Sequence, residues 1–563
     1  MTGPAWSRPA AGREPAAAAL LAWLSDAGAP RLCVVTGSAG CGKSSLLAWL
    51  IGHGTRDGER PERRVHGFVP LAGQTALTAA WTLARQLSVA ARTPGELLTA
   101  LSADDRRTVL VLPELHAAED PAALAELAAR LAESPHVRVL VEVRSGSAEA
   151  GTLTRPPSAV MDLDETRWTD PERYAAWTAG RPATGPVPPP EPETVGTVDL
   201  DDPAAVCAAD PWQVSVRYER SGDGHGGLRA AWLRAGASLT HEPNPADRAM
   251  VLLAALGDEA DPRLPDRLAG LADGAAWRVV WRRVRGDVRP PWPGPARALS
   301  SGHGRLAGTA VVADHQGTVR LVGEADGAPV GRLPEPVGRV AALTVTAGGD
   351  VLVLDTLGGL HLRPAPAAPR ATGLAALLED GPTPLERLVE TVRARLRNRP
   401  RTLAACGDVL TVADDTGHLH AFVCRDGETV PSTVRLHEGA VTALAALDLA
   451  APGEDGPGIP LVYSGGADGK VRAWGPGAEP LAVPVRSRTC PVTALAAAAT
   501  GTGPVLAVGW ADGLVEHHRL DDGTVRAYRP GLAVHALALT DSGDLLVGTD
   551  ETLVCLRPVT VAP

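Results

Sequence analysis

The chain has 563 residues, too many for one hydrophobic core, and its length predicts about three or four domains. A net charge of −11 excludes a nucleic-acid-binding surface spread over the whole molecule, leaving at most a local basic patch. Seven cysteines occur without CxxC or paired Cys/His spacing, which gives no metal site and fits reduced thiols, so a cytoplasmic protein is expected.

In chain order, Ala16–Leu24 has helical spacing and is too short to cross a bilayer. Arg31–Thr36 (RLCVVT) reads as a buried strand and Ser44–Ile51 as a helix. Val65–Leu71 is a second strand, followed by a helix over Thr75–Ala90. Thr108–Leu112 is a third strand, Pro121–Glu133 a helix with proline in its first turn, and Val137–Val143 (VRVLVEV) a fourth strand. This alternation predicts a parallel α/β domain over residues 1–180. A proline-rich spacer centred on Gly185–Pro192 covers 181–204. Residues 205–290 read as a helical linker domain, with Ala246–Leu256 and Trp277–Arg285 its clearest segments.

From 291 to 563 the texture changes to short Val/Leu/Ala runs punctuated by Asp and Gly. A strand–turn–strand unit recurs at 311–322, 353–362, 412–422, 463–474 and 508–520, with a weaker copy at 546–556. The turn glycines Gly317, Gly358, Gly417, Gly469 and Gly513 mostly recur at the period of a four-stranded propeller blade, about 40–50 residues. Six blades are visible, and a degenerate seventh has room near 285–305. A helical insertion is expected at about 370–400, with Leu385, Leu388, Val389, Val392 and Leu396 on one face, packed back on the propeller or the helical lid in preference to docking a partner helix.

Of the 54 Lys and Arg residues only Lys43 and Lys470 are lysines. Lys43 lies in Gly37-Ser-Ala-Gly-Cys-Gly-Lys43-Ser44, a G-x-x-x-x-G-K-[ST] loop between a strand and a helix. Such a loop needs a compact cation where a planar guanidinium does not fit. Gly37, Ser38, Ala39, Gly40, Cys41, Gly42, Lys43, Ser44 and Ser45 are therefore the expected nucleotide-binding residues, with Lys43 on the β/γ oxygens and Ser44 as the Mg²⁺ ligand. ATP is expected over GTP, because no N/T-K-x-D guanine-reading motif is present.

The strand that should end in a magnesium-holding Asp ends at Leu112 and is followed by Pro113 and Glu114. Two readings stand: Glu114 substitutes from one position along, or it is a solvated loop acid. His116 reads as a surface histidine in preference to a γ-phosphate contact. Arg144, after the fourth strand, senses the γ-phosphate or makes a strand-end salt bridge. Asp162, Asp164 and Glu165 read as a solvated turn and helix cap, not a metal site. Loss of a general base costs about 10²–10⁴ in rate, so hydrolysis is expected to be slow or absent while binding survives. Trp277, Arg278, Trp281, Arg282, Arg283 and Arg285 read as an aromatic, basic helix whose tryptophans pack on the first blade and whose arginines face water, in preference to nucleic-acid contact.

Gly12-Arg13-Glu14, the phosphate loop, the strand ending at Leu112, the strand leading to Arg144, and Asp162-Leu-Asp with Asp170-Pro follow one another in an order that resembles STAND-type (NACHT/AP-ATPase-like) signalling NTPases of actinobacterial type. The blades resemble WD40 repeats, with His437, Ser464, Asp468 and Trp474 matching that family's structural hydrogen-bond set. The resemblance implies a multidomain protein: an α/β P-loop NTPase core, a helical linker domain and a propeller of six or seven blades. It departs from the family at Pro113, His116 and Ala117, and in having about a dozen residues before Gly12 where an effector is common. The implied function is an ATP- and Mg²⁺-dependent signalling switch with weak ATPase activity at most. Its propeller would bind a protein partner, its effector would be separately encoded, and it would oligomerise with nucleotide. Membrane and nucleic-acid partners are not expected. The alternative is a WD40 scaffold whose degenerate NTPase domain binds nucleotide only structurally.

Overall fold

Three fully buried apolar runs form the centre of one parallel sheet, with two less buried strands at its edges, the pattern that helices on either side of a sheet impose. A computed structural model of the chain describes residue 9 and residues 12–179, 198–364 and 383–559, excepting 57, 59, 156, 223, 288–291, 293, 335–337, 397, 426–427 and 450–457. The expected spacer Gly185–Pro192 and the start of the expected insertion lie outside these residues. The chain divides into two compact units, Met1–Asp199 with Ala209–Arg220, and Leu200–Ala208 with Ser221–Pro563.

In the first unit the strands are β1 (Leu32–Thr36), β2 (Gly67–Phe68), β3 (Thr108–Leu112), β4 (Val137–Glu142) and β5 (Ser158–Asp162). Their order is β2-β3-β4-β1-β5, all parallel, so β4 lies between β1 and β3. The helices are α1 (Glu14–Ser25), α2 (Lys43–Gly54), α3 (Ala76–Gln86), α4 (Pro94–Ser102), α5 (Pro121–Leu131), α6 (Ala148–Leu153) and α7 (Pro171–Ala179). Leu20, Leu24, Leu46, Leu47 and Leu50 of α1 and α2 pack on Cys33, Val35, Val111 and Leu140 of the sheet. On the other face α3, α4, α5 and α6 pack on Val34, Leu110, Val139 and Val141. The period of two along each strand divides the core into these layers. The sequence missed β5, α4, α6 and α7.

In the second unit the expected helices are present at Pro203–Ala208, Leu228–Leu239, Pro245–Ala255 and Leu264–Leu271, but Trp277–Val284 is not helical. It is strand β6, the fourth strand of the last blade, antiparallel to Thr552–Pro558.

Residues 298–558 form, with β6, a six-bladed β-propeller. The stretch near 285–305 supplies the first strand of blade 1 (Ala298–Ser301), not a seventh blade. Blade 2 has three strands among the described residues. Helix Pro384–Arg395 begins with a Thr383/Glu386 capping box and buries Leu388, Val389 and Val392 against Leu352, Leu403 and Phe422 of blades 2 and 3, as its apolar stripe predicts. The first strand of every blade contributes one buried leucine to the central pocket: Leu299, Leu343, Leu403, Leu444, Leu495 and Leu537. The five turn glycines all have positive φ, between 71° and 94°. At Gly417 a Cβ would also lie 2.2 Å from the His437 carbonyl oxygen, so no other residue fits. In blade 4, His437 Nδ1 meets Asp468 at 3.0 Å and its Nε2 meets Ser464 at 2.8 Å. Trp474 stands outside this set, donating instead to the Ala478 carbonyl.

Strand β6 closes the ring, and its two tryptophans serve opposite neighbours. Trp277 donates to the Ala527 carbonyl of blade 5 at 2.8 Å and meets His517 edge-on, with ring centroids 5.4 Å apart. Trp281 packs with Leu299 and Ala310 of blade 1 and donates to the Glu324 carbonyl at 2.6 Å. Residues four apart in a regular strand share a face. The register shift opposite Cys555 and Leu556 inserts one residue and turns the second tryptophan to the other side. Arg282 and Arg283 reach the backbone carbonyls of Leu256 and Gly327 instead of only facing water.

Trp281→Ala is expected to lower propeller stability by about 3–5 kcal/mol, read by denaturant unfolding, because it empties the contact that joins the last blade to the first. His517 is buried, neither ring nitrogen has a hydrogen-bond partner, and burial, then the Arg526 charge, lowers its pKa to about 4. The fold therefore favours the neutral ring. The resulting stability is complete above the unfolded pKa of about 6.5 and is lost as pH falls towards 4. His517→Phe should remove roughly 2 kcal/mol of the stability lost between pH 6.5 and 4.5, measured by denaturation at each pH.

Candidate functional site

The candidate site gathers where β1, β3 and β4 end. Chain leaving β1 turns through Gly37, Gly40 and Gly42, all at positive φ, and enters α2. Gly37 is also sterically required, since a Cβ there would lie 2.6 Å from Cys41 Sγ. Ser38, Ala39, Gly40, Ser44 and Ser45 are exposed, and no side chain caps the N-terminus of α2. The first-turn amides of α2 and its positive dipole end therefore have no capping anion from the chain itself.

Lys43 is buried beneath this surface. Its ammonium donates to the carbonyls of Gly37 at 2.9 Å and Ser38 at 2.8 Å. Beside it, Ser44 donates its hydroxyl to Glu142 Oε1 at 3.0 Å. Glu142 ends β4 and is 1% exposed, and its Oε2 has no hydrogen-bond partner. Burial raises the Glu142 pKa, against the opposing pull of the Ser44 hydroxyl and the Lys43 charge. Sequence reasoning passed over this residue. Its signal was a glutamate at a period-two position of a strand that is otherwise buried: Val137, Val139 and Val141 enter one core, Leu140 the other, and Arg138 and Glu142 bracket Leu140 on its own face.

The other expected residues are placed as follows. Pro113 follows β3 and accepts from the Leu71 amide. Glu114 adopts a left-handed conformation, φ 62°, rare for a side chain of its kind, and its charge raises the Glu142 pKa. His116 is half-buried with Nδ1 unpartnered. Its pKa is lowered by burial first and then by the charges of Arg144 and Lys43, so these two cations stand near it. Arg144 itself is exposed. Asp164 of the acidic turn caps the loop, accepting from the Ser38 amide and hydroxyl, each at 2.8 Å. Among the described residues no group of three or more His, Cys, Asp or Glu could by itself hold a metal ion.

A second layer fixes the loop from behind. Arg13 is 2% exposed and donates to the Cys41 carbonyl, to the Leu163 carbonyl at 2.8 Å and to Thr169 Oγ1 at 2.5 Å. The Asp170 amide donates to the Gly12 carbonyl at 2.7 Å, and Arg173 pairs with Glu14. The segments Gly12–Glu14 and Asp162–Asp170, distant in sequence, thus clamp one loop. Within the same unit, helix Pro211–Arg220 docks beside the Glu114–Ala117 turn: Thr75 donates to Glu219 at 2.6 Å and Arg220 pairs with Glu119.

Comparison with protein-family models and with curated proteins gives no match for this chain. No helix among the described residues is long and apolar enough to cross a membrane.

Arg13→Ala should cost the α/β unit about 2–4 kcal/mol, because it strands buried carbonyls that a charged donor now satisfies. Hydrogen exchange is the check: amides 37–44 should exchange faster in the variant than in the wild type.

Proposed function

We propose that this protein is a nucleotide-dependent signalling switch of the STAND type, binding ATP with Mg²⁺ in the α/β unit and protein partners on the propeller. The observation that carries the reading is the buried Lys43 ammonium beside an uncapped helix N-terminus. A buried cation hydrogen-bonded to neutral carbonyls and a thiol, with no ion pair, is costly unless an anion joins it. The residues present fit a triphosphate: exposed loop amides to receive oxygens, Lys43 to turn from the Gly37 and Ser38 carbonyls toward them, and the Ser44 hydroxyl near the cation. When bound, the nucleotide supplies the negative charge that this arrangement lacks.

Glu114, Arg144 and Lys43 all act on the charge of His116, and helix Pro211–Arg220 contacts Thr75 and Glu119, the latter just past the turn that carries Glu114 and His116. A change of charge at Lys43 is thereby communicated to a helix of the expected linker domain, the usual logic of an order–release switch. Pro113 offers no acid to hold or deprotonate water, which supports slow hydrolysis. The propeller is a fold suited to a protein-interaction platform, and a separately encoded effector is the partner we propose.

A second reading is favoured by one contact. Asp164 already satisfies the Ser38 amide, so the loop holds its shape from within, as a scaffold with a structural nucleotide requires.

Calorimetric titration with ATP and Mg²⁺, paired with a phosphate-release assay, tests the proposal. The wild type should bind with little release, and Lys43→Ala should weaken binding by at least about 100-fold. Millimolar affinity in the wild type would defeat both readings. Loss of partner recruitment in Lys43→Ala supports the switch. Loss of thermal stability alone supports the scaffold.

A further inference from the structure

Glu142 presents a physical problem that packing does not solve. It is 1% exposed at the end of a strand whose other members are mostly Val and Leu, and Oε2 has no hydrogen-bond partner. Lys43, the adjacent cation, bonds the Gly37 and Ser38 carbonyls and makes no ion pair with it. A buried carboxylate left without a cation costs several kcal/mol, and an apolar residue would serve the strand better.

Its surroundings define what would satisfy it. Oε1 already accepts from Ser44, the residue immediately after the loop lysine. β4 lies between β1, which feeds the loop, and β3, where Pro113 stands without a side-chain oxygen. Magnesium takes one or two carboxylates together with substrate phosphates and water, and does not need a cage built wholly of protein.

We infer that Glu142 is the carboxylate of a divalent-cation site shared with the Ser44 hydroxyl, filling from β4 the role that Pro113 leaves vacant at β3. The site rests on the nucleotide-binding reading above. Glu142 acts on the ion and positions it. The Ser44 oxygen, which now donates its proton toward Glu142, keeps lone pairs to offer.

The test uses the full chain and ADP, so that hydrolysis plays no part. ADP affinity is measured by calorimetry in excess Mg²⁺ and in EDTA, and ion binding by the electron paramagnetic resonance of Mn²⁺ with ADP. Wild-type protein should bind ADP at least about tenfold more tightly with Mg²⁺ than without. In Glu142→Gln, which keeps the size and an acceptor for Ser44, the EDTA affinity should be retained while the Mg²⁺ advantage and the bound-Mn²⁺ signal disappear. Glu142→Asp, a second variant that keeps the charge, should retain part of the advantage. An unchanged Mg²⁺-to-EDTA ratio in Glu142→Gln overturns the inference, as does an equal loss of affinity under both conditions, which marks a packing role. Metal-independent ADP binding by the wild type removes the cation site but leaves nucleotide binding standing. No ADP binding under either condition removes both.

Discussion

A buried lysine at the start of α2 and a buried glutamate at the end of β4 share one site and do not pair with each other. Lys43 spends its protons on the carbonyls of its own loop, and Glu142 Oε1 receives the Ser44 hydroxyl. In a low-dielectric interior, separated opposite charges are an expensive arrangement, and an ion pair or two apolar side chains would relieve it. On the function proposed above, this arrangement is a template: a cation and an anion held apart, which a ligand carrying both signs would satisfy. A metal–nucleotide complex is such a ligand. The clamp of Arg13, Asp164 and the Gly12–Asp170 contact holds the template still.

The propeller solves a different problem, the exposed strand edge. A ring of blades is stable only when its first and last members join. Here a strand from before blade 1 completes blade 6, and an inserted residue aims Trp277 at blade 5 and Trp281 at blade 1. One short segment thereby engages three consecutive blades. The buried, unsatisfied His517 beside Trp277 makes part of that joint sensitive to protonation. Blade 2 shows another way to cover a sheet, with a capped amphipathic helix filling the wedge beside blade 3.

Much of this was legible in the sequence. The loop glycines, Lys43 and the flanking β1 and α2 carry a local pattern that needs no partner to be recognised. The propeller was visible through repetition, since each turn demands glycine at one backbone position. The insertion helix was visible through its stripe. By contrast, β5 was passed over because its strand residues Ser158, Ala159 and Val160 are only partly buried or exposed, so its apolar signal is weak. The segment Trp277–Val284 misled for a sharper reason: tryptophans four apart mimic one face of a helix, and the inserted strand residue that explains them exists only in a paired sheet.

Glu142 marks the boundary. The sequence by itself determined the loop, the number of blade-like units and the absence of an acid at position 113, because each is fixed by backbone demands or by residues adjacent along the chain. Only the tertiary structure decided that β4 lies between β1 and β3, and so which carboxylate stands next to Ser44. Strand order is a matter of long-range packing, and Ser44 and Glu142 lie 98 residues apart in the chain. Local periodicity carries no information across that distance, whereas two parallel neighbours in a sheet bring the groups within a hydrogen bond.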